Sequence, residues 1–195
     1  MLLERLFRRS SEKRDYRTPA ERLYVAAVQQ ARTPALFGAG RISDSVEGRF
    51  EALALHGFLI LHRLKGEGEN GRALAQQFFD AMFADLDRNL REIGIGDLAV
   101  GKRIRLLAEN FYGRIKTYEE GLNAQAGALE TALARNLLTE TPTAQSETSP
   151  QPIPPFATTM AAYVRAQSAA LARQTFASLA EGRAAFAPFA VEGAP

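Results

Sequence analysis

Apolar side chains return every three to four positions along most of this chain, the spacing of helices that pack on one face. The clearest run is Leu74, Phe78, Met82, Leu86 and Leu90, widened by Phe79, Phe83 and Ile93, with Asp80, Asp85, Asp87 and Arg88 on its other sides. A second run holds Val100, Ile104, Leu107, Phe111, Ile115, Tyr118 and Leu122, and continues through Leu129, Leu133 and Leu137 to Leu138. Gly113, Gly121 and Gly127 interrupt it, which predicts a break or kink near 121–127. From Phe50 to Leu64 nearly every side is apolar. A helix greasy all round is a central one, covered by its neighbours.

Helix starts and stops divide the remainder. Thr18-Pro19-Ala20-Glu21 combines a cap, a first-turn proline and a capping-box acid, and predicts a helix to Ala31 that stops before Pro34. Ser43 or Asp44 starts the next helix after a loop over 37–42, and Asp97 reads as the cap of the helix behind Gly94-Ile95-Gly96. A last amphipathic stretch carries Met160, Tyr163, Val164, Leu171, Phe176 and Leu179 and ends at Gly182. Strand-like alternation and internal repeats are absent. The expected fold is all-α: a compact bundle of about five to six helices with a proline-rich linker before a C-terminal helix.

The expected divisions are a basic amphipathic N-terminal arm at 1–17, a helical domain at 18–138, a linker at 139–155, a C-terminal amphipathic helix at 156–182 and a tail at 183–195. The linker holds Pro142, Pro150, Pro152, Pro154 and Pro155 among Thr, Gln and Ser, a composition that stays extended or mobile.

Composition narrows the chemistry. With 195 residues, 46% hydrophobic and 24% charged, the chain is of ordinary soluble globular type. The absence of cysteine excludes a disulfide scaffold, a zinc ribbon and a thiol enzyme. His56 and His62 are the only histidines and lie roughly 240° apart on a helix, so they cannot chelate together. His56, set among Leu55, Phe58 and Leu59, reads as a satisfied core or interface histidine, and no Glu-x-x-His pair supports a di-iron bundle. Gly66-x-Gly68-x-x-Gly71 matches the dinucleotide fingerprint only in letters, because a helix and not a strand leads into it and Glu67 and Glu69 would face the phosphates. The stretch Gly96 to Arg103 misses the phosphate-binding loop because Arg103 stands where Ser or Thr must hold magnesium. No nucleophile elbow occurs. No catalytic residue, cofactor site or metal site is expected, nor a nucleic acid or small-molecule substrate.

Charge is small in total, +2, but uneven. Lys102, Arg103, Arg105, Arg114 and Lys116 face Glu109 alone between 102 and 116, and the N-terminal arm has a similar excess. Such stretches attract anionic lipid or acidic protein surfaces, or are simply solvated helix faces. No apolar run approaches the ~20 residues of a spanning helix, and the N-terminus lacks a secretory h-region. Leu2, Leu3, Leu6 and Phe7 recur at helical spacing with Arg5, Arg8 and Arg9 between them, a candidate membrane-surface element.

One long stretch is familiar as a pattern. It runs from Leu55-His56-Gly57-Phe58-Leu59-Ile60-Leu61-His62-Arg63-Leu64-Lys65 through Gln76-Gln77-Phe78-Phe79-Asp80, and then Asp85-Leu86-Asp87-Arg88-Asn89-Leu90. Gly94-Ile95-Gly96-Asp97-Leu98 and Gly101-Lys102 follow, and Phe111-Tyr112-Gly113-Arg114-Ile115-Lys116-Thr117-Tyr118-Glu119-Glu120-Gly121-Leu122 closes it. This resembles the ubiquinol–cytochrome c chaperone family, whose mitochondrial members help assemble the cytochrome bc1 complex by handling newly made cytochrome b. Mitochondrial members tend to carry a Trp in the Leu-His helix; this chain has none and no evident presequence, so it looks like a bacterial relative.

The resemblance implies a non-enzymatic assembly chaperone whose partner is cytochrome b or a bc1 assembly intermediate. It would work in the cytoplasm, or peripherally on the cytoplasmic face of the inner membrane, against an anionic membrane surface. The candidate client-binding residues are Arg63, Lys65, Lys102, Arg103, Arg105, Phe111, Tyr112 and Tyr118, with core packing the competing reading for Phe111 and Tyr118. Two other classes stay open: a general membrane-surface or scaffolding helical protein without a specific client, and a cofactor-using enzyme built on the glycine-rich turns.

Overall fold

The computed structural model describes residues 17–138 and 152–189. The arm with Leu2, Leu3, Arg5, Leu6, Phe7, Arg8 and Arg9, and most of the linker, lie outside the described residues. Within them the chain forms seven α-helices: α1 Arg17–Ala31, α2 Val46–Leu64, α3 Gly68–Glu92, α4 Asp97–Asn123, α5 Ala128–Leu137, α6 Pro155–Ala172 and α7 Phe176–Ala180. A 3-10 turn, Pro34–Leu36, leads into the loop before α2. The fold is an all-α bundle.

The apolar run of α2 does what its composition predicts. It packs against α1, α3, α4, α5 and α6, and every residue from Ala54 to Ile60 is buried. Ser45, rather than Ser43 or Asp44, caps α2, accepting from the Gly48 N–H at 3.1 Å. Asp97 is not the cap of α4. Gly96 takes that position and the Asp97 carboxylate pairs with Arg91 of α3, fastening the hairpin between the two long helices.

The predicted break is a hinge between α4 and α5. Gly121 itself stays helical and buried; a Cβ there would lie 2.9 Å from the Leu129 Cα, so only glycine allows α5 to fold back this closely. Glu130 fixes the start of α5 by accepting from the Gly127 N–H at 3.0 Å and pairs with Arg165 of α6 at 2.8 Å.

The expected single C-terminal helix divides into α6 and α7. Thr175 caps the second piece by accepting from the Ser178 N–H at 3.3 Å, and Gln174 turns out of the helix to bind the backbone of Ala185. Side chain–backbone bonds of this kind compete with the helix ladder and end it. Residues 183–189 then run back over the bundle, with Phe186 and Phe189 packed on its core.

Candidate functional site

Two basic groups were expected to contribute to one surface, and the fold separates them. Arg63 and Lys65 stand at the C-terminal end of α2, where Lys65 pairs with Glu119 of α4. Lys102, Arg103 and Arg105 stand near the start of α4, so the two groups are about 25 Å apart along that helix at ~1.5 Å rise per residue.

Arg63 is engaged inside the fold. Its Nε donates to the Leu171 carbonyl at 3.1 Å, Nη2 donates to the Gln174 carbonyl at 2.7 Å, and Nη1 pairs with Glu67. Leu171 and Gln174 flank the end of α6, where a guanidinium satisfies carbonyls that the helix leaves open. Lys65 is exposed, but its ammonium lies on Glu119.

The aromatic candidates also divide. Phe111 and Tyr118 are both 0% exposed, whereas Tyr112 is 58% exposed. Phe111 lies against Phe79 and Phe83 with ring centroids 6.1 Å from each, and its edge meets the bare backbone of Gly57 in α2. Tyr118 packs on Phe58 at 5.6 Å, and burial pushes its phenol pKa far up. Asn136 is its polar neighbour, yet the hydroxyl makes no hydrogen bond of normal geometry. Tyr112 stacks its ring on Phe79 at 5.4 Å while keeping its other face in solvent.

The outer face of α4 is the distinctive surface. Lys102, Arg103 and Arg105 are exposed and pair with no acid among the described residues. On a helical wheel Lys102, Arg105, Glu109, Tyr112 and Lys116 share this side, and so does Leu106, which is 55% exposed. The sequence reading missed Leu106. Its signal was available: it falls out of step with Ile104, Leu107 and Phe111 and four residues after Lys102. Cations early in a helix work against the backbone dipole, so local helix stability does not account for them. An amphiphilic stripe of this kind suits an acidic or amphipathic polypeptide surface.

A cleft of about 470 Å³ opens beside Lys65, between the α2–α3 turn and α4, lined by Phe58, Leu61, His62, Arg72, Ile115 and Glu119 among others. The His62 Nδ1 stands 3.9 Å from Glu119, beyond hydrogen-bond reach, and burial lowers the His62 pKa despite the upward pull of Glu119. The glycine-rich letters Gly66 to Gly71 line this turn as a helix-to-helix connection, without the strand that a dinucleotide site requires. Likewise Asp97 to Arg103 is helical, so no phosphate-cradling loop forms there. Among the described residues no cluster of three or more His, Asp or Glu side chains could hold a metal ion, and no helix is long and apolar enough to cross a membrane.

Comparison with known proteins gives a consistent picture. Residues 39–186 match the ubiquinol-cytochrome C chaperone family. The chain is 29% identical over 119 residues to ubiquinol-cytochrome-c reductase complex assembly factor 1 of Xenopus laevis, covering 61% of this chain and 60% of that protein. The Mus musculus counterpart is 26% identical over 121 residues, 62% of this chain and 41% of its own length. The matched segment therefore spans less than two thirds of either relative. A crystal structure of the Cbp3 homolog from Brucella abortus superimposes with a TM-score of 0.74 at 37% identity, covering 97% of this chain and 98% of that one.

Proposed function

Since the chain belongs to the ubiquinol-cytochrome C chaperone family, we propose that it acts without catalysis in the assembly of the ubiquinol–cytochrome c reductase (bc1) complex, by binding newly made cytochrome b. The relatives named as assembly factors of that complex support the coarser part of this reading. The observation that carries the finer part is the exposed stripe of α4, where Lys102 and Arg105 have no acid partner among the described residues and share a side with Leu106 and Tyr112, while Arg103, also without an acid partner there, flanks Leu106 three residues on.

A client destined for a membrane presents apolar segments bordered by polar loops. Leu106 and Tyr112 supply apolar contact, and the three cations supply attraction to carboxylates on the client or to anionic lipid beside it. Phe111 acts from beneath, holding α4 against α3 and α2 so that Tyr112 is presented on a fixed helix. Lys65 lies with the separate cleft, where it offers a second contact. The site of action in this reading is the cytoplasmic face of the inner membrane, reached peripherally.

The test is affinity capture of the protein from mildly crosslinked native membranes while cytochrome b maturation is stalled, read by mass spectrometry. Selective enrichment of cytochrome b is the expected result. Abundant membrane proteins captured without preference would instead favour a general membrane-surface protein.

A further inference from the structure

Residues 183–189 form neither helix nor strand and are held against α6 and the segment behind it in a way unusual for a tail. Gln167, fully buried, donates from Nε2 to the Ala187 carbonyl at 2.7 Å and accepts the Ala187 N–H on Oε1 at 2.8 Å. Gln174 treats Ala185 the same way, at 2.7 and 2.9 Å. Each glutamine amide thus takes both backbone groups of one residue, as a neighbouring strand does in an antiparallel ladder, and the two clasped residues are two apart. Gln30 of α1 adds a second donor to the Ala187 carbonyl at 3.1 Å.

The side chains that enter the bundle are aromatic. Phe186 meets the buried His56 ring edge-on at 5.6 Å, and Phe189 meets Tyr163 at 4.9 Å and Phe156 at 6.3 Å. Recognition therefore divides into main-chain hydrogen bonds, which are indifferent to sequence, and two pockets that select aromatic rings three positions apart. That division is the mode of strand-like peptide recognition.

The occupant has no backbone ladder of its own. From Ala184 to Phe189 no backbone–backbone hydrogen bond is made among the described residues, so every polar anchor in that segment is a glutamine side chain. The segment leaves α7 at Gly182, whose φ of +80° and whose 2.9 Å clearance between a Cβ position and the Pro19 carbonyl admit no side chain. Segments without a backbone hydrogen-bond ladder open at lower cost than the helices beneath.

We propose that the cleft between α1, α2 and α6 is a peptide-binding groove for an extended partner segment carrying aromatic residues three positions apart, and that residues 183–189 are its resident occupant. Gln167 and Gln174 clasp the backbone of the incoming segment on either side of its first aromatic, and the chain's own segment leaves from Gly182 to admit it.

The probe is a fluorescent peptide with the sequence of residues 183–189, titrated by anisotropy against the full chain. The unaltered chain binds it weakly, because its own segment competes. The Phe186→Ala/Phe189→Ala chain, with its resident segment loosened, binds at least about tenfold tighter, as expected when the competent fraction rises. Adding Gln167→Leu removes that binding. A folded Phe186→Ala/Phe189→Ala chain that does not bind the peptide overturns the proposal. Hydrogen exchange on the unaltered full chain gives an independent reading should the variant not fold. The Ala185 and Ala187 amides exchange through a local opening, faster than the amides of α2; exchange only at the rate of the α2 core overturns the proposal equally.

Discussion

The polar groups around His56 and the cations of α4 are handled in opposite ways. At the junction of α1, α2 and α6, His56 is fully buried and both ring nitrogens are bonded. Nδ1–H donates to the Ala52 carbonyl at 2.7 Å, which leaves Nε2 to accept the Tyr163 hydroxyl at 2.8 Å; Gln30 then donates to the Tyr163 oxygen at 2.9 Å. Burial pulls the His56 pKa down to about 4, ahead of the opposing pull of the Ala52 carbonyl, and pushes Tyr163 up to about 12. Every donor has its acceptor. Along the outer face of α4, by contrast, Lys102, Arg103 and Arg105 meet no acid among the described residues. A buried polar group must find its partner within the fold, while an exposed one can keep its capacity for another molecule. The first region is closed by the chain's own residues, and the second stays open to another molecule.

Substitutions can break or sharpen this contrast. The largest effect belongs to Phe111→Ala, which empties a fully buried site between α3 and α2 and costs ~3–5 kcal/mol in denaturant unfolding. Acid comes next. His56 is held neutral in the fold and gains its proton readily once unfolded, so its contribution is complete above its ordinary pKa of 6.5 and is lost as pH falls toward 4. The loss is on the order of 3 kcal/mol, measurable as a falling denaturation midpoint over that window and reduced in a His56→Gln chain. Tyr163→Phe leaves the His56 Nε2 and a Gln30 donor without their partner and costs ~1–3 kcal/mol by the same measurement. Smallest is the joint change of Lys102, Arg103 and Arg105 to Glu. Stability shifts by no more than about 0.5 kcal/mol per site and helicity is kept, while capture of the client falls. A large loss of stability in that chain would erase the distinction between the two regions.

Much of the fold is legible in the sequence because it rests on repeating positions. The stripes of α3 and α4 and the greasy character of α2 give element type and burial directly, and the resemblance running from Leu55 to Leu122 lies on the same helices. What is not legible depends on single long-range bonds. Arg63 looks like a free cation next to Lys65, yet Leu171 and Gln174, more than 100 positions away, absorb its donors. The division of the last helix depends in the same way on Gln174 finding Ala185. For the candidate surface the sequence supplies charge but not exposure: Phe111 and Tyr112 are neighbours in the chain, and only the helix phase sends one into the core and the other into solvent.

Site-directed photocrosslinking tests the central claim most directly. A photoreactive residue is placed at Leu106 or Tyr112 on α4, or at Val25, which is 51% exposed on a different helix, α1. Adducts with cytochrome b formed from both α4 positions and absent from Val25 are the predicted result. Adducts that form equally well from Val25, or from neither α4 position while cytochrome b is still captured, would contradict the assignment of the α4 face.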